Sequence, residues 1–166
     1  MLFKSAGVAL IVAGGLAVPP AWADDDVSNG RRVQDTTSTQ AVEVGDKPGH
    51  VVGVVEFKGL TFFEGGEIAT HVNTATFDLT EGTGTHRGYV VHYFQDDSTS
   101  VERYEGEAIE LDGGRTTRVV GTYECIGGTG RFAGLQGSGS YRGERIGSLQ
   151  AGSFVYVDFT SNCAVP

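Results

Sequence analysis

Beyond Val18 this chain has no apolar run long enough to hold it in a membrane, and no window with a convincing helical repeat of apolar residues. It is also short of basic residues: 12 Lys and Arg stand against 21 Asp and Glu, a net charge of −9. The arginines are scattered along the chain at Arg87, Arg103, Arg118, Arg131, Arg142 and Arg145. Nucleic acid and anionic lipid are bound largely through clustered cations, so neither is an expected partner. The motifs of several chemistries are missing as well. There is no H-x-H, H-E-x-x-H or C-x-x-C spacing for a metal, and no G-x-S-x-G elbow for a serine hydrolase. Gly128 to Gly134 has the wrong spacing for a dinucleotide loop, and no helix follows it. No cofactor and no metal site are expected.

What is present begins with a processing signal. Lys4 supplies a positive start, Ala6 to Val18 is apolar but short, and Ala21-Trp22-Ala23 fits an A-x-A cleavage site. Cleavage between Ala23 and Asp24 predicts an exported protein, periplasmic or extracellular. Removing residues 1–23 from the 166 leaves 143, enough for one domain with a core. The cysteines, Cys125 and Cys163, are then expected to pair in an oxidising compartment. A bridge between them would stabilise the fold by roughly 4 kcal/mol through loop entropy.

Asp24 to Pro48 is polar and lacks periodicity, which predicts a disordered tail over residues 24–49, with Arg31-Arg32 as solvated charge. From His50 onward, short β segments alternate with glycine and acidic turns. Strands are predicted at Val51–Phe57, Ile68–Thr80, Thr85–Gln95, Val101–Glu110, Arg118–Cys125, Gly137–Arg145 and Ser153–Phe159, with a further short one at Leu60–Phe63. That spacing suits an antiparallel barrel or sandwich over residues 50–166.

The segment from Tyr123 to Tyr141 holds the most specific signal. Gly127, Gly128 and Gly130 permit a tight reversal, Phe132 is placed to plug the core beneath it, and Gly137, Gly139 and Gly143 thin one face of the next strand. Gly127-Gly128-Thr129-Gly130 with Phe132 and Gly134 resembles the GGTG-x-F-x-G element of the allene oxide cyclase-like and dirigent-like β-barrels, especially small exported bacterial members. That resemblance implies an all-β, antiparallel up-and-down barrel of about eight strands. It also implies that a reactive, mostly apolar intermediate could be enclosed, and that a dimer or trimer could form. It carries over no site residue outside the glycine turn.

Strand register suggests where a site would lie. A hairpin closed by Glu81-Gly82-Thr83-Gly84 would pair Thr80 with Thr85 and set Asn73 against His92, and His71 against Phe94. His71, Asn73, Ala75, Phe77 and Leu79 would then share the more apolar face with His86, Gly88, Val90, His92 and Phe94. Tyr104, Gly106 and Ala108 would point the same way, provided the loop around Asp96–Ser100 is odd-membered or bulged. Arg103, Glu105 and Glu107 would face solvent. The inner face would bring Asn73, His92 and Tyr104 side by side, a polar cluster that must bond to itself, to water or to a ligand. His71 and His92 with Glu102 or Glu124 form a weaker metal-like grouping. Three functions fit. The first is a barrel binding a small apolar or aromatic molecule among Asn73, Phe77, Leu79, Val90, His92, Phe94 and Tyr104. The second is a cyclase or isomerase using His92 or Tyr104 as acid or base. The third is a structural or oligomeric barrel with a packed interior.

Overall fold

The computed structural model describes residues 29–166, so the expected export signal and cleavage site lie outside the described residues. Eight strands, all antiparallel to their neighbours, close into a barrel in chain order: β1 (Asn29–Glu43), β2 (His50–Phe63), β3 (Ile68–Thr80), β4 (Thr83–Tyr93), β5 (Thr99–Leu111), β6 (Thr116–Thr129), β7 (Gly137–Ile146) and β8 (Phe154–Ser161). β1 closes the barrel by pairing with both β2 and β8. The only helical pieces among the described residues are single 3₁₀ turns, one at Asp112–Gly114 and one at Gly130–Phe132.

Residues 29–43 are therefore not a tail. Their fully buried positions are Arg32 and Gln34, so the apolar alternation that marks a half-buried strand is absent. Arg31 is exposed and bonded to Asp158, whereas Arg32 is 5% exposed and lies inside the barrel. The separate strand expected at Leu60–Phe63 is the end of β2, which runs unbroken through Gly59. A side chain at Gly59 would strike the Val33 carbonyl at 1.9 Å, so glycine here permits close strand approach rather than marking a turn.

The β3–β4 hairpin is tighter than expected. Glu81 and Gly82, with φ of 50° and 80°, close it in two residues, and Thr80 pairs with Thr83. Every pair shifts by two: His71 faces His92, Asn73 faces Val90 and Phe77 faces His86. A two-residue shift leaves each side chain on its face, because the strand period is two. The inner set on β3 and β4 is consequently as expected. Phe94 to Ser98 form the odd-membered five-residue connection that brings Tyr104 and Ala108 inward on β5.

The glycine element also differs in detail. β6 continues to Thr129, and the reversal is made by the 3₁₀ turn Gly130–Phe132 rather than within Gly127–Gly130. Gly127, at φ 125°, flanks a bulge where β6 carries an extra residue opposite Val101 and Glu102. Phe132 does enter the core, its ring 4.5 Å from that of Phe94.

Inside and outside follow the alternation. The lumen holds Val55, Phe57, Phe77, Tyr104, Tyr123, Tyr141, Val157 and Phe159, while Arg87, Arg103, Glu105 and Arg142 are exposed on the outer wall. One end is plugged by Phe63, Phe94, Phe132 and Leu135, and beside them Cys125 and Cys163 form a disulfide with Cα atoms 6.1 Å apart. The other end carries the connections 44–49, 81–82, 112–115 and 147–153, and it is here that the barrel opens.

Candidate functional site

Polar side chains cross the lumen at mid-height and divide it in two. Arg32 on β1 forms an ion pair with Glu102 on β5, the strand four positions away in either direction around the barrel. The Arg32 guanidinium also lies over the Phe159 ring at 4.5 Å, which offsets part of its lost hydration. Gln34 Oε1 accepts from Asn73 Nδ2 at 3.2 Å and lies 2.9 Å from His71 Nε2; the second nitrogen of His71 meets Thr61 Oγ1 at 2.9 Å. The Tyr104 hydroxyl donates to Asn73 Oδ1 at 2.7 Å. Four strands are thus tied by side chains as well as by the ladder.

Above this layer, toward the open end, lies a cavity of about 80 Å³. Val55, Phe57, Phe77, Val119 and Val157 form its apolar wall, and Arg32, Gln34, Asn73 and Tyr104 its polar floor. Phe77, Leu79, Arg145 and Leu149 also border a vestibule of about 220 Å³ at the barrel mouth, so these four form the neck between lumen and exterior. Glycine makes the room. A side chain at Gly106 or Gly121 would meet the Tyr141 hydroxyl at 2.3 or 2.5 Å, and one at Gly88 would meet that of Tyr104 at 2.9 Å. Large rings occupy the space that neighbouring strands leave vacant, as the taper of a small barrel requires.

Of the residues expected to bind a ligand, Asn73, Phe77, Leu79 and Tyr104 line the cavity. Val90, His92 and Phe94 do not. Val90 and His92 are fully buried in the wall, and Phe94 belongs to the plug. The expected trio is also split: Asn73 bonds Tyr104, whereas His92 sits toward the plugged end against Phe63, with Nδ1 3.1 Å from Ser100 Oγ. Nε2 of His92 is buried without a hydrogen-bond partner. Burial holds this imidazole well below its ordinary pKa, with Arg32 and His71 adding repulsion, so it is neutral. Burial likewise takes His71 down to about 3, helped by Arg32. It raises the Tyr104 hydroxyl far above the usual tyrosine value. Glu102 is raised by burial against the opposing pull of Arg32, and Glu124 lies on the outer wall paired with Arg103, so neither is free to join the histidines as a metal ligand.

The sequence places His86 on the inner face without a role, and Tyr141, Arg145, Arg32 and Gln34 escape it altogether. His86 is on the cavity wall, 2.7 Å from the Tyr141 hydroxyl through Nε2, and burial, followed by Arg145, lowers it to about 4. Tyr141 and Arg145 point inward from β7, a strand noticed only for its glycines. Alternation from Gly139 and Gly143 was the available signal, since Tyr141 and Arg145 share their face. Arg32 and Gln34 gave no such signal, for the reason that hid β1. Comparison of this chain with protein-family models, curated proteins and solved structures finds no match.

Proposed function

We propose that this protein binds a small, mostly apolar molecule in the open half of its barrel. The observation that carries this reading is the cavity with a bordered neck: an apolar wall, a floor of oriented polar groups and a passage to the outside. Its size limits the occupant. At about 80 Å³ it is smaller than the ~150 Å³ apolar cavity that holds a benzene molecule. A guest of a few heavy atoms fits as the lumen stands, and a longer one would extend through the neck into the vestibule.

Binding rather than turnover is the reading these residues support. His92 is sealed from the cavity and neutral, and Tyr104 already donates its proton to Asn73. A cyclase or isomerase of the kind implied by the glycine-turn resemblance would have to work through Tyr104 or through the His86–Tyr141 pair on the cavity wall. Export to an oxidising compartment is part of the proposal, and the Cys125–Cys163 bridge supports it.

Native mass spectrometry of protein purified from its own host tests the reading. A co-purifying small molecule is expected in the wild type and should be lost from Ala108→Phe, which fills the cavity from β5. A wild-type protein that carries no guest and binds no small apolar probe would overturn it.

A further inference from the structure

Among the described arginines that are not exposed, Arg32, Arg131 and Arg145, only Arg145 lacks a carboxylate partner. Arg31, Arg32, Arg103 and Arg131 each pair with a carboxylate. Arg145 has none: Nη2 donates to the Thr117 hydroxyl at 2.8 Å, and Nε is buried with no partner. Burial alone lowers its pKa, with no neighbouring charge opposing the shift. Leaving a guanidinium partly desolvated against a single neutral acceptor is costly, and that cost is recovered when an anion arrives.

The position of the residue fixes what that anion would be part of. Arg145 projects from β7 at the neck, one side toward the lumen and the other toward the vestibule. Its fixed fork of donors matches the two oxygens of a carboxylate. On the same cavity wall, the Tyr141 hydroxyl and the neutral His86 supply further hydrogen-bonding capacity without adding charge. Below it the wall is apolar. We infer that the guest is a small amphipathic acid, its carboxylate held by Arg145 at the neck and its apolar body in the lumen.

Glu81 and Glu110 line the vestibule and work against an incoming anion, but neither pairs with Arg145. Their repulsion acts through water and is screened, whereas the guanidinium contact is direct and partly desolvated, so the direct contact decides.

This inference rests on the lumen-binding reading, and the experiment separates the two. Straight-chain carboxylates from propionate to hexanoate, and the primary alcohols of matched length, are titrated into the full exported protein at pH 7 by calorimetry or NMR. The acids are expected to bind about tenfold more tightly than the alcohols, the margin of a charge-assisted hydrogen bond over a neutral one. Arg145→Met should erase that preference while alcohol binding persists. In the wild type, the Arg145 Nε–H resonance should shift with acid and not with alcohol, a readout that needs no variant. Alcohols binding as well as acids, or a preference surviving in Arg145→Met, overturns the carboxylate assignment and leaves lumen binding standing. Failure of both series overturns both.

Discussion

A guanidinium and a carboxylate facing each other across an apolar lumen are tolerable only because each satisfies the other, and this makes the Arg32–Glu102 pair a sensitive point. Glu102→Gln should cost about 3–5 kcal/mol, because Arg32 would keep its charge without a counterion. Arg32→Met combined with Glu102→Leu should recover most of that loss, since an apolar pair leaves no orphaned charge. Urea denaturation of the wild type and the two variants measures this, and a double variant no more stable than Glu102→Gln would refute it. The histidines impose a second dependence. His71, His86 and His92 are all held neutral by burial, at about 3 and about 4 for the first two and well below 6.5 for the third. Below pH 6.5 the unfolded chain takes up protons that the folded one refuses, so stability is full above that pH and falls as the solution is acidified. Each histidine contributes a slope of about 1.4 kcal/mol per pH unit. Glu102, whose carboxyl is raised, contributes with the opposite sign and softens the fall. Thermal melts from pH 7 to pH 4.5 should therefore show a steep loss, made shallower by His86→Gln. A flat profile over that interval would contradict the neutral buried state.

The strands differ in how plainly their sequences announce them, and the reason lies in which side chains the lumen demands of each. β3 has Ala69, Ala75, Phe77 and Leu79 on its inner face and was legible to the residue. β1 has Arg32 and Gln34 there and was illegible, because partners that make those groups acceptable inside, Glu102 and Asn73, lie 70 and 39 residues away. The candidate site was readable to the same extent: Asn73, Phe77 and Tyr104 from alternation, His86 as an inner-face residue without a role, Arg145 not at all. The disulfide belongs to the readable part, and its placement has a consequence. It ties β6 to the chain just past β8 at the plugged end, while the cavity lies toward the opposite end. Reduction should lower stability by about 4 kcal/mol through the loop it releases, a drop of roughly 10 °C in Tm. Binding in the lumen should survive wherever the reduced protein is still folded. Loss of ligand affinity in step with reduction, at a temperature where circular dichroism stays native, would show that the two ends are coupled.

Closure turns eight ribbons into one cooperative object, and it depends on the segment that composition marks as a tail. In an open sheet, β2 and β8 would each present a row of unpaired N–H and C=O groups to other chains. β1 removes both edges at once, pairing from Asn29 with Thr160 on one side and from Gly30 with Phe63 on the other. It also delivers Arg32 and Gln34, without which Glu102 is a buried charge and His71 and Asn73 lose their acceptor. Were residues 24–49 a solvated leader, a chain starting at His50 would fold as well as the full chain. The closed barrel predicts the opposite. Such a chain should lose the dispersed amide spectrum of a folded β protein and associate through its exposed edges, whereas a chain starting at Asn29 should remain folded. A synthetic peptide of residues 29–43 supplied in trans provides the sharper control, because strand addition at two free edges is a recognised mode of binding. Recovery of monomeric, dispersed protein by that peptide, and its failure when Arg32 is replaced by Glu, would place the requirement in the strand and in its inward charge together. A chain from His50 that is stable and monomeric by itself would mean that the barrel does not need its first strand.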